Sequence, residues 1–185
     1  MKKKIVITGG LGYIGTELCK LYSGVSWNHN IFVIDNRFIS ERVNQIRNWN
    51  MEFIQGDILD KDLIQKYCHD ADIVHHLAGV TDVPRTKSES DNSKDEKIKE
   101  VGEQGTQNIL NAISKKCKII FPSTHVVYEG INEVKKDIKE DETLKPVLSY
   151  STSKAINEEQ LKKSGKNYII LRLGSVYGYS TDSMR

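Results

Sequence analysis

Tyr150 and Lys154, four residues apart in Tyr150-Ser151-Thr152-Ser153-Lys154, are the pair in this sequence best suited to move a proton. Residues at i and i+4 share one face of a helix, so the ammonium lies beside the phenol ring. A cation held there favours the phenolate and is expected to lower the tyrosine pKa from ~10 toward the working pH. A tyrosine so tuned can take the proton of a carbinol while a hydride leaves the same carbon. A third group should polarise the substrate oxygen, and Ser123 and Thr124, at the end of an apolar run, both offer a hydroxyl. Taken alone, Y-x-x-x-K is a frequent chance spacing, and a surface helix carrying a tyrosine is the better explanation. Its weight comes from what precedes it in the chain.

The apolar run 4–8 leads at once into Gly9-Gly10-Leu11-Gly12-Tyr13-Ile14-Gly15. In the pattern G-x-x-G-x-x-G the spaced glycines are Gly9, Gly12 and Gly15. A dinucleotide pyrophosphate needs a tight turn, close backbone approach and a helix N-terminus whose free N–H groups face the anion. Side chains at Gly9 or Gly12 would stand where the phosphate must come, and Gly15 would let the first helix pack tightly on the sheet. Twenty residues after Gly15, at the end of a second apolar run, stands Asp35. An acid there can accept both adenosine ribose hydroxyls and repels a 2′-phosphate, which favours NAD over NADP. Arg37 complicates the preference, because a nearby arginine can hold a 2′-phosphate instead. A glycine-rich turn is weak evidence by itself; a strand before it, a helix after it and an acid at that distance make it specific. Behind such a fingerprint the Tyr150–Lys154 pair becomes the strongest functional signal, with the hydride passing to a nicotinamide whose ribose Lys154 could also hold.

A sheet must position these groups. Short β-branched runs at 4–8, 31–35, 51–55, 72–77, 118–122 and 168–173 predict six strands. They are nearly continuous apolar runs, as parallel strands buried on both faces require. Helices are expected over 12–23, 40–49, 61–68, roughly 94–116 and 150–164. This alternation predicts an α/β fold, a doubly wound parallel sheet of the Rossmann type with helices on both faces. Segments 80–93 and 129–149 read as loops, and long loops inside a domain are usually functional or disordered. The chain ends seven residues after Gly178. Residues 1–185 are therefore expected to form one NAD-binding domain that stops before a C-terminal substrate-binding lobe.

Bulk properties narrow the class. The 185 residues are 38% hydrophobic, enough for one domain with a core, and the formal net charge of +2 is too small to imply a nucleic-acid or acidic-membrane partner. Met1-Lys2-Lys3-Lys4 precedes only a three-residue apolar stretch, far short of a secretory core, and no run approaches the ~20 residues of a membrane helix. Cys19, Cys68 and Cys117 lack C-x-x-C spacing and read as reduced, structural thiols of a cytoplasmic protein.

These residues resemble the extended short-chain dehydrogenase/reductase superfamily in its NAD-dependent epimerase/dehydratase branch, of the UDP-glucose 4-epimerase kind. The likeness spans Thr8 through Gly15, Gly56-Asp57-Ile58, His76-Leu77-Ala78-Gly79, Gly105-Thr106-Gln107-Asn108-Ile109-Leu110, Ser123 through Tyr128, Tyr150 through Lys154, and Leu171 through Gly178. It implies a cofactor-binding set of Gly9, Gly12, Tyr13, Ile14 and Gly15, then Asp35 and Asn36, with Tyr150 and Lys154. Asp57 and Ile58 would border the adenine, and Leu77, Ala78 and Gly79 would line the cofactor cleft. It makes Thr124 the catalytic hydroxyl, Tyr150 the base and Lys154 its lysine. The family usually carries Asn where this chain has Gly102, which puts regular helix geometry there in doubt.

The resemblance implies a nucleotide-sugar substrate and allows a homodimer built on the fourth and fifth helices. The leading expectation is an epimerase that oxidises a ring carbinol and returns the hydride to the other face. A 4-keto-sugar reductase is the alternative, from the likeness of Ser123 through Gly130 to dehydrorhamnose reductases. A non-catalytic nucleotide-sensing subunit is the third reading. A 4,6-dehydratase fits less well, because the acids such enzymes carry after the catalytic Thr are His125 and Val126 here. His75 and His76 end a buried strand without partners at metal-ligand spacing, so no metal is expected. His125 reads as a loop histidine, Tyr128 and Tyr177 as packing near the cleft, and Arg85 as a loop residue that could meet a phosphate.

Overall fold

The computed structural model describes residues 2–81 and 92–178. Six parallel strands form one sheet in the order β3-β2-β1-β4-β5-β6. The strands are β1 (Lys3–Thr8), β2 (His29–Asp35), β3 (Glu52–Gln55), β4 (Ile73–His76), β5 (Lys118–Thr124) and β6 (Asn167–Leu173). The helices are α1 (Tyr13–Ser23), α2 (Ser40–Asn48), α3 (Lys61–Cys68), α4 (Asn92–Lys99), α5 (Gly105–Ala112) and α6 (Ser149–Lys163). The strand order reverses between β1 and β4, which opens a crevice beyond the carboxyl ends of these two strands.

Alternation along each strand sends side chains to opposite faces, and two separate cores result. Ile5, Ile7, Ile31 and Val33 pack under α1 and α2 with Leu11, Cys19, Val43 and Ile46. Val6, Ile34, Val74, Ile119 and Phe121 face the other way, against Ile64, Ile109 and Leu161. Burying both faces explains the unbroken apolar runs of the inner strands. β6 stands at the edge of the sheet and keeps Tyr168, Ile169 and Leu171 exposed.

Most element ends fall within two residues of the expected ones, and two differences bear on the site. β5 runs on to Thr124 although Pro122 interrupts its N–H ladder. Its pairing with β4 ends at Ile120 while β6 continues alongside to Thr124, so the missing donor falls where one neighbour is already absent. The single helix expected over 94–116 is three pieces: α4, a π-helical turn at Glu100–Gln104, and α5. Helix geometry ends at Ala112, with Ile113 already extended. The loop expected at 80–93 is described only up to residue 81, and helix begins at Asn92; Arg85 lies outside the described residues. The segment between the 3-10 turn His125–Tyr128 and α6 is irregular, as expected. Backbone bonds from Gly130 N to Lys145 O (2.8 Å) and Lys145 N to Val127 O (2.9 Å) close its base.

Candidate active site

The glycine loop connects β1 to α1 at the crevice. Gly9 has φ +69°, and a Cβ there would lie 2.6 Å from the Ala78 backbone nitrogen. Gly9 is thus required by the chain crossing at the end of β4, which corrects the expectation that its side chain would block a phosphate. Gly15 permits a close approach, but to the loop rather than the sheet: a Cβ would meet the Gly9 carbonyl oxygen at 2.3 Å and the Gly10 Cα at 2.7 Å. At Gly12 a Cβ would press on the Gly9 carbonyl oxygen at 3.2 Å and otherwise meet only the Arg37 guanidinium at 3.9 Å, so the space on that side of the loop is largely open. No side chain caps α1 at Gly12, which leaves the N–H groups of its first turn, beginning at Tyr13 and Ile14, for an anion. Those groups, with the open space at Gly12, fit a pyrophosphate. The Tyr13 hydroxyl reaches over to donate to the Gly178 carbonyl at 3.0 Å.

Beyond β2 and β3 the polar groups are already paired. Asp35 is buried; one oxygen accepts from Leu11 N (2.9 Å), the other from Arg37 N (3.0 Å) and Arg37 Nε (3.4 Å). The expected free acceptor for a ribose therefore shares its carboxylate with the arginine named as its complication. Asn36 donates through Nδ2 to Asp57 at 2.9 Å, and the other Asp57 oxygen accepts from Leu59 N. The Ile58 side chain is buried in the core beneath Gly105 and its carbonyl accepts from Asn108, so its side chain does not face the crevice. Leu77 and Ala78 are half-buried where β4 ends, and a Cβ at Gly79 would meet nothing within 4 Å.

The chemical groups gather at the end of β5. Thr124 is its last residue, and its hydroxyl oxygen accepts from Val126 N at 3.3 Å, which keeps the hydroxyl proton for donation. Ser123, the other hydroxyl left open by the sequence, donates to Glu158 at 2.6 Å inside the protein. Tyr150 lies in the first turn of α6, and Lys154 donates from Nζ to the Pro122 carbonyl at 2.9 Å. The ammonium sits 4.4 Å from the Phe121 ring centroid and 5.9 Å from that of Tyr150.

Here the expected tuning is reversed. Burial raises the Tyr150 phenol above its ordinary value, while burial brings Lys154 down to about 8 against the opposing pull of Glu158. The reason is geometric: the ammonium is engaged with the Pro122 carbonyl and the Phe121 face, and desolvation outweighs its attraction for the phenol.

Glu158 and Asn157 were not singled out by the sequence, and Asn108 and Arg172 entered only within longer motifs, with no role. Glu158 is fully buried and held by Arg172 through Nε (2.9 Å) and Nη2 (2.6 Å). Burial raises its carboxyl, and the bonds from Arg172 and Ser123 outweigh that and hold it low. The signal was present, since Tyr150, Lys154 and Glu158 follow at i, i+4 and i+8 on one helix face. Asn108 ties α5 to the loop after β3 through the Ile58 and Leu59 carbonyls. Asn157 donates to the Gly102 carbonyl at 3.0 Å inside the π turn, and Gln160 donates to Glu103 O at 3.0 Å. His76 bridges Thr8 Oγ1 (3.1 Å) and Thr106 Oγ1 (3.0 Å), and His75 meets the Tyr22 hydroxyl at 2.8 Å. Both histidines are thus engaged in the packing of β4. A cavity of about 500 Å³ lies between His125, Tyr128, Ile138, Glu140 and Arg172; none of Thr124, Tyr150 and Lys154 lines it.

Fold and site together define a Rossmann-type domain with a hydroxyl, a tyrosine and a lysine at the carboxyl edge of its sheet. Residues 5–185 match the NAD dependent epimerase/dehydratase family, and the chain belongs to it. It is 31% identical to a dTDP-D-glucose 4,6-dehydratase of Dictyostelium discoideum over 95% of this chain and 44% of that protein. It is 32% identical to a putative UDP-glucose 4-epimerase of Methanocaldococcus jannaschii over 96% of this chain and 57% of that one. The chain thus spans about half the length of the curated relatives it matches. Among solved structures, the UDP-glucuronic acid 4-epimerase of Bacillus cereus in complex with NAD superposes with a TM-score of 0.76 at 27% identity, covering 96% of this chain and 58% of the other. Among the described residues no helix is long and apolar enough to cross a membrane.

Proposed function

We propose that this chain is the NAD-binding half of a nucleotide-sugar epimerase. The observation that carries the reading is the convergence of Thr124, Tyr150 and Lys154 on the carboxyl end of β5, two strands from the opened glycine loop after β1. The family and the NAD complex of the Bacillus cereus relative support the cofactor. The relatives' names support a nucleotide-linked sugar. His125 and Val126 after Thr124 favour epimerisation over dehydration, since neither side chain is a carboxylic acid.

Tyr150 takes the carbinol proton at its phenolic oxygen and returns it when the ring carbinol re-forms. Thr124 donates its free proton to the same substrate oxygen and fixes that oxygen against the phenol. Lys154, its ammonium held at Pro122 and 5.9 Å from the Tyr150 ring centroid, is placed to reach a nicotinamide ribose; a bound nicotinamide would have to supply the further positive charge that offsets the burial of the phenol. NAD, when bound, would supply a reversible hydride acceptor for the carbinol carbon. Asp35 would hold the adenosine ribose, and the first turn of α1 the pyrophosphate. The sugar would be enclosed by the part of the protein that corresponds to the other half of the relatives' length.

The test is epimerisation of UDP-, dTDP- and CDP-linked hexoses by the protein at its natural length, followed by NMR of the sugar. Tyr150→Phe should lose ~10²–10⁴ in rate while keeping NAD affinity. Thr124→Ser should stay near wild type and Thr124→Ala should fall between the two. Native turnover in Tyr150→Phe, or a 4-keto-6-deoxy product in place of an epimer, would remove this reading.

A further inference from the structure

Glu129 is an acid in an irregular segment, assigned no role above. It follows the 3-10 turn His125–Tyr128, whose N-cap is Thr124, and it is that turn's C-cap. Its Oε1 accepts from Val147 N and Leu148 N, both at 2.7 Å, and from the Ser151 hydroxyl. Leu148 is the N-cap of α6 and has no side-chain acceptor of its own. A helix start normally takes its cap from the preceding residue, typically Ser, Thr, Asp or Asn. Here Glu129, 19 residues earlier in the chain, accepts the N–H of the N-cap residue itself, the donor that the N3 side chain takes in a capping box. Ser151 completes it, accepting from Leu148 N at 3.2 Å in the manner of a capping box. The negative charge also lies at the favourable end of the helix dipole.

The residue between Leu148 and Ser151 that matters is Tyr150. One carboxylate therefore clamps the turn that begins at Thr124 to the turn that carries Tyr150. We propose that Glu129 is a positioning residue, a cap supplied from a distance that sets Tyr150 against Thr124, resting on the reading of Tyr150 as the proton carrier. Its effect on Tyr150 passes through the first turn of α6. The bonds at Val147 and Leu148 need an acceptor oxygen and not a charge, so an amide can replace the carboxylate.

Three variants test this, each with two readouts. The first is the phenol titration of Tyr150, taken as the ultraviolet difference from the matching Tyr150→Phe protein, which needs no substrate. The second is kcat against KM at natural length. Glu129→Ala should let water reach the ring, move the Tyr150 midpoint down toward the ordinary tyrosine value and lower kcat about tenfold or more, with KM and NAD affinity within twofold. Glu129→Gln should restore both readouts to near wild type. Ser151→Ala, which removes one arm of the clamp, should shift the midpoint the same way by less, and it serves if Glu129→Ala does not fold. An unchanged midpoint and unchanged kcat in Glu129→Ala, or in Ser151→Ala where that variant stands in, would overturn the proposal. So would a Gln variant as impaired as Ala. Native turnover in Tyr150→Phe would instead remove the catalytic reading, and the titration would still decide whether Glu129 holds the turn.

Discussion

Cofactor choice is expected to turn on the few atoms around Asp35. Its carboxylate is buried and anchors Leu11 N, so it is a fixed anion at the ribose end of the crevice, partly neutralised by Arg37. A 2′-phosphate would meet that anion, while the Arg37 side chain, 45% exposed, remains able to turn toward a phosphate. NAD should therefore bind more tightly than NADP in a fluorescence titration. Asp35→Asn, which keeps an acceptor for Leu11, should narrow the gap, and Arg37→Ala should widen it. Equal affinities in the unaltered protein would move the specificity to Arg37. Asp35→Ala is the poorer probe, because a buried N–H without its acceptor costs about 1–3 kcal/mol and blurs binding with stability.

Two glycines at the scale of elements make opposite predictions. At Gly102 a Cβ would stand 2.3 Å from Ser153 Oγ, and Ser153 is buried with its hydroxyl directed at the Ile98 carbonyl (3.4 Å). A methyl there would have to displace the buried Ser153 hydroxyl from the Ile98 carbonyl, the Ser153 Cβ itself standing 3.6 Å away, and α6 satisfies the carbonyls of the turn through Asn157 and Gln160. Gly102→Ala should cost about 1–3 kcal/mol in a urea melt, the usual range for overpacking. Stability equal to wild type would mean that α6 yields freely. Gly12→Val should act chiefly on binding: its Cβ would press on the Gly9 carbonyl at 3.2 Å, a modest loss in the melt, while detectable NAD binding is lost. A Gly12→Val protein that binds NAD normally would reduce the loop to a simple turn.

Stability of the whole molecule should fall in acid because of His76. It is fully enclosed between Thr8 and Thr106, and burial, assisted by the nearby charge of Lys154, lowers its pKa from 6.5 to about 3. The unfolded chain binds a proton on this residue below pH 6.5 and the folded chain does not until about pH 3, so stability is lost as pH falls through that window. At pH 5 the loss from His76 alone is about 2 kcal/mol relative to neutral pH, at about 1.4 kcal/mol per pKa unit. His75, lowered to about 4 by burial, adds in the same direction. Urea melts at pH 7 and pH 5 should show the loss, and His76→Gln should flatten the dependence. An equal slope in that variant would place the acid sensitivity elsewhere. Lys154 acts in the alkaline range: with its pKa lowered to about 8, its charge is a cost to the fold below that pH, relieved as pH rises from 8 toward 10.5.

Sequence alone determined what depends on local chemistry and periodicity. The six strands, the glycine fingerprint, the acid after β2 and the i, i+4 pairing of Tyr150 with Lys154 were all legible, because each is a statement about neighbours along the chain. The departure at Gly102 was legible as an irregularity, but its form was not: a π turn exists there because α6 supplies side-chain donors from more than fifty residues away. Only the tertiary structure decided that Ser123 serves Glu158 and leaves Thr124 to the site, that Gly9 yields to Ala78, and that Ile58 turns into the core. It also reversed the expected Tyr150–Lys154 tuning, since spacing brings the two together but cannot show how deeply both are buried. Periodicity fixes which face a residue takes; desolvation and the identity of a distant partner depend on how the elements close over one another.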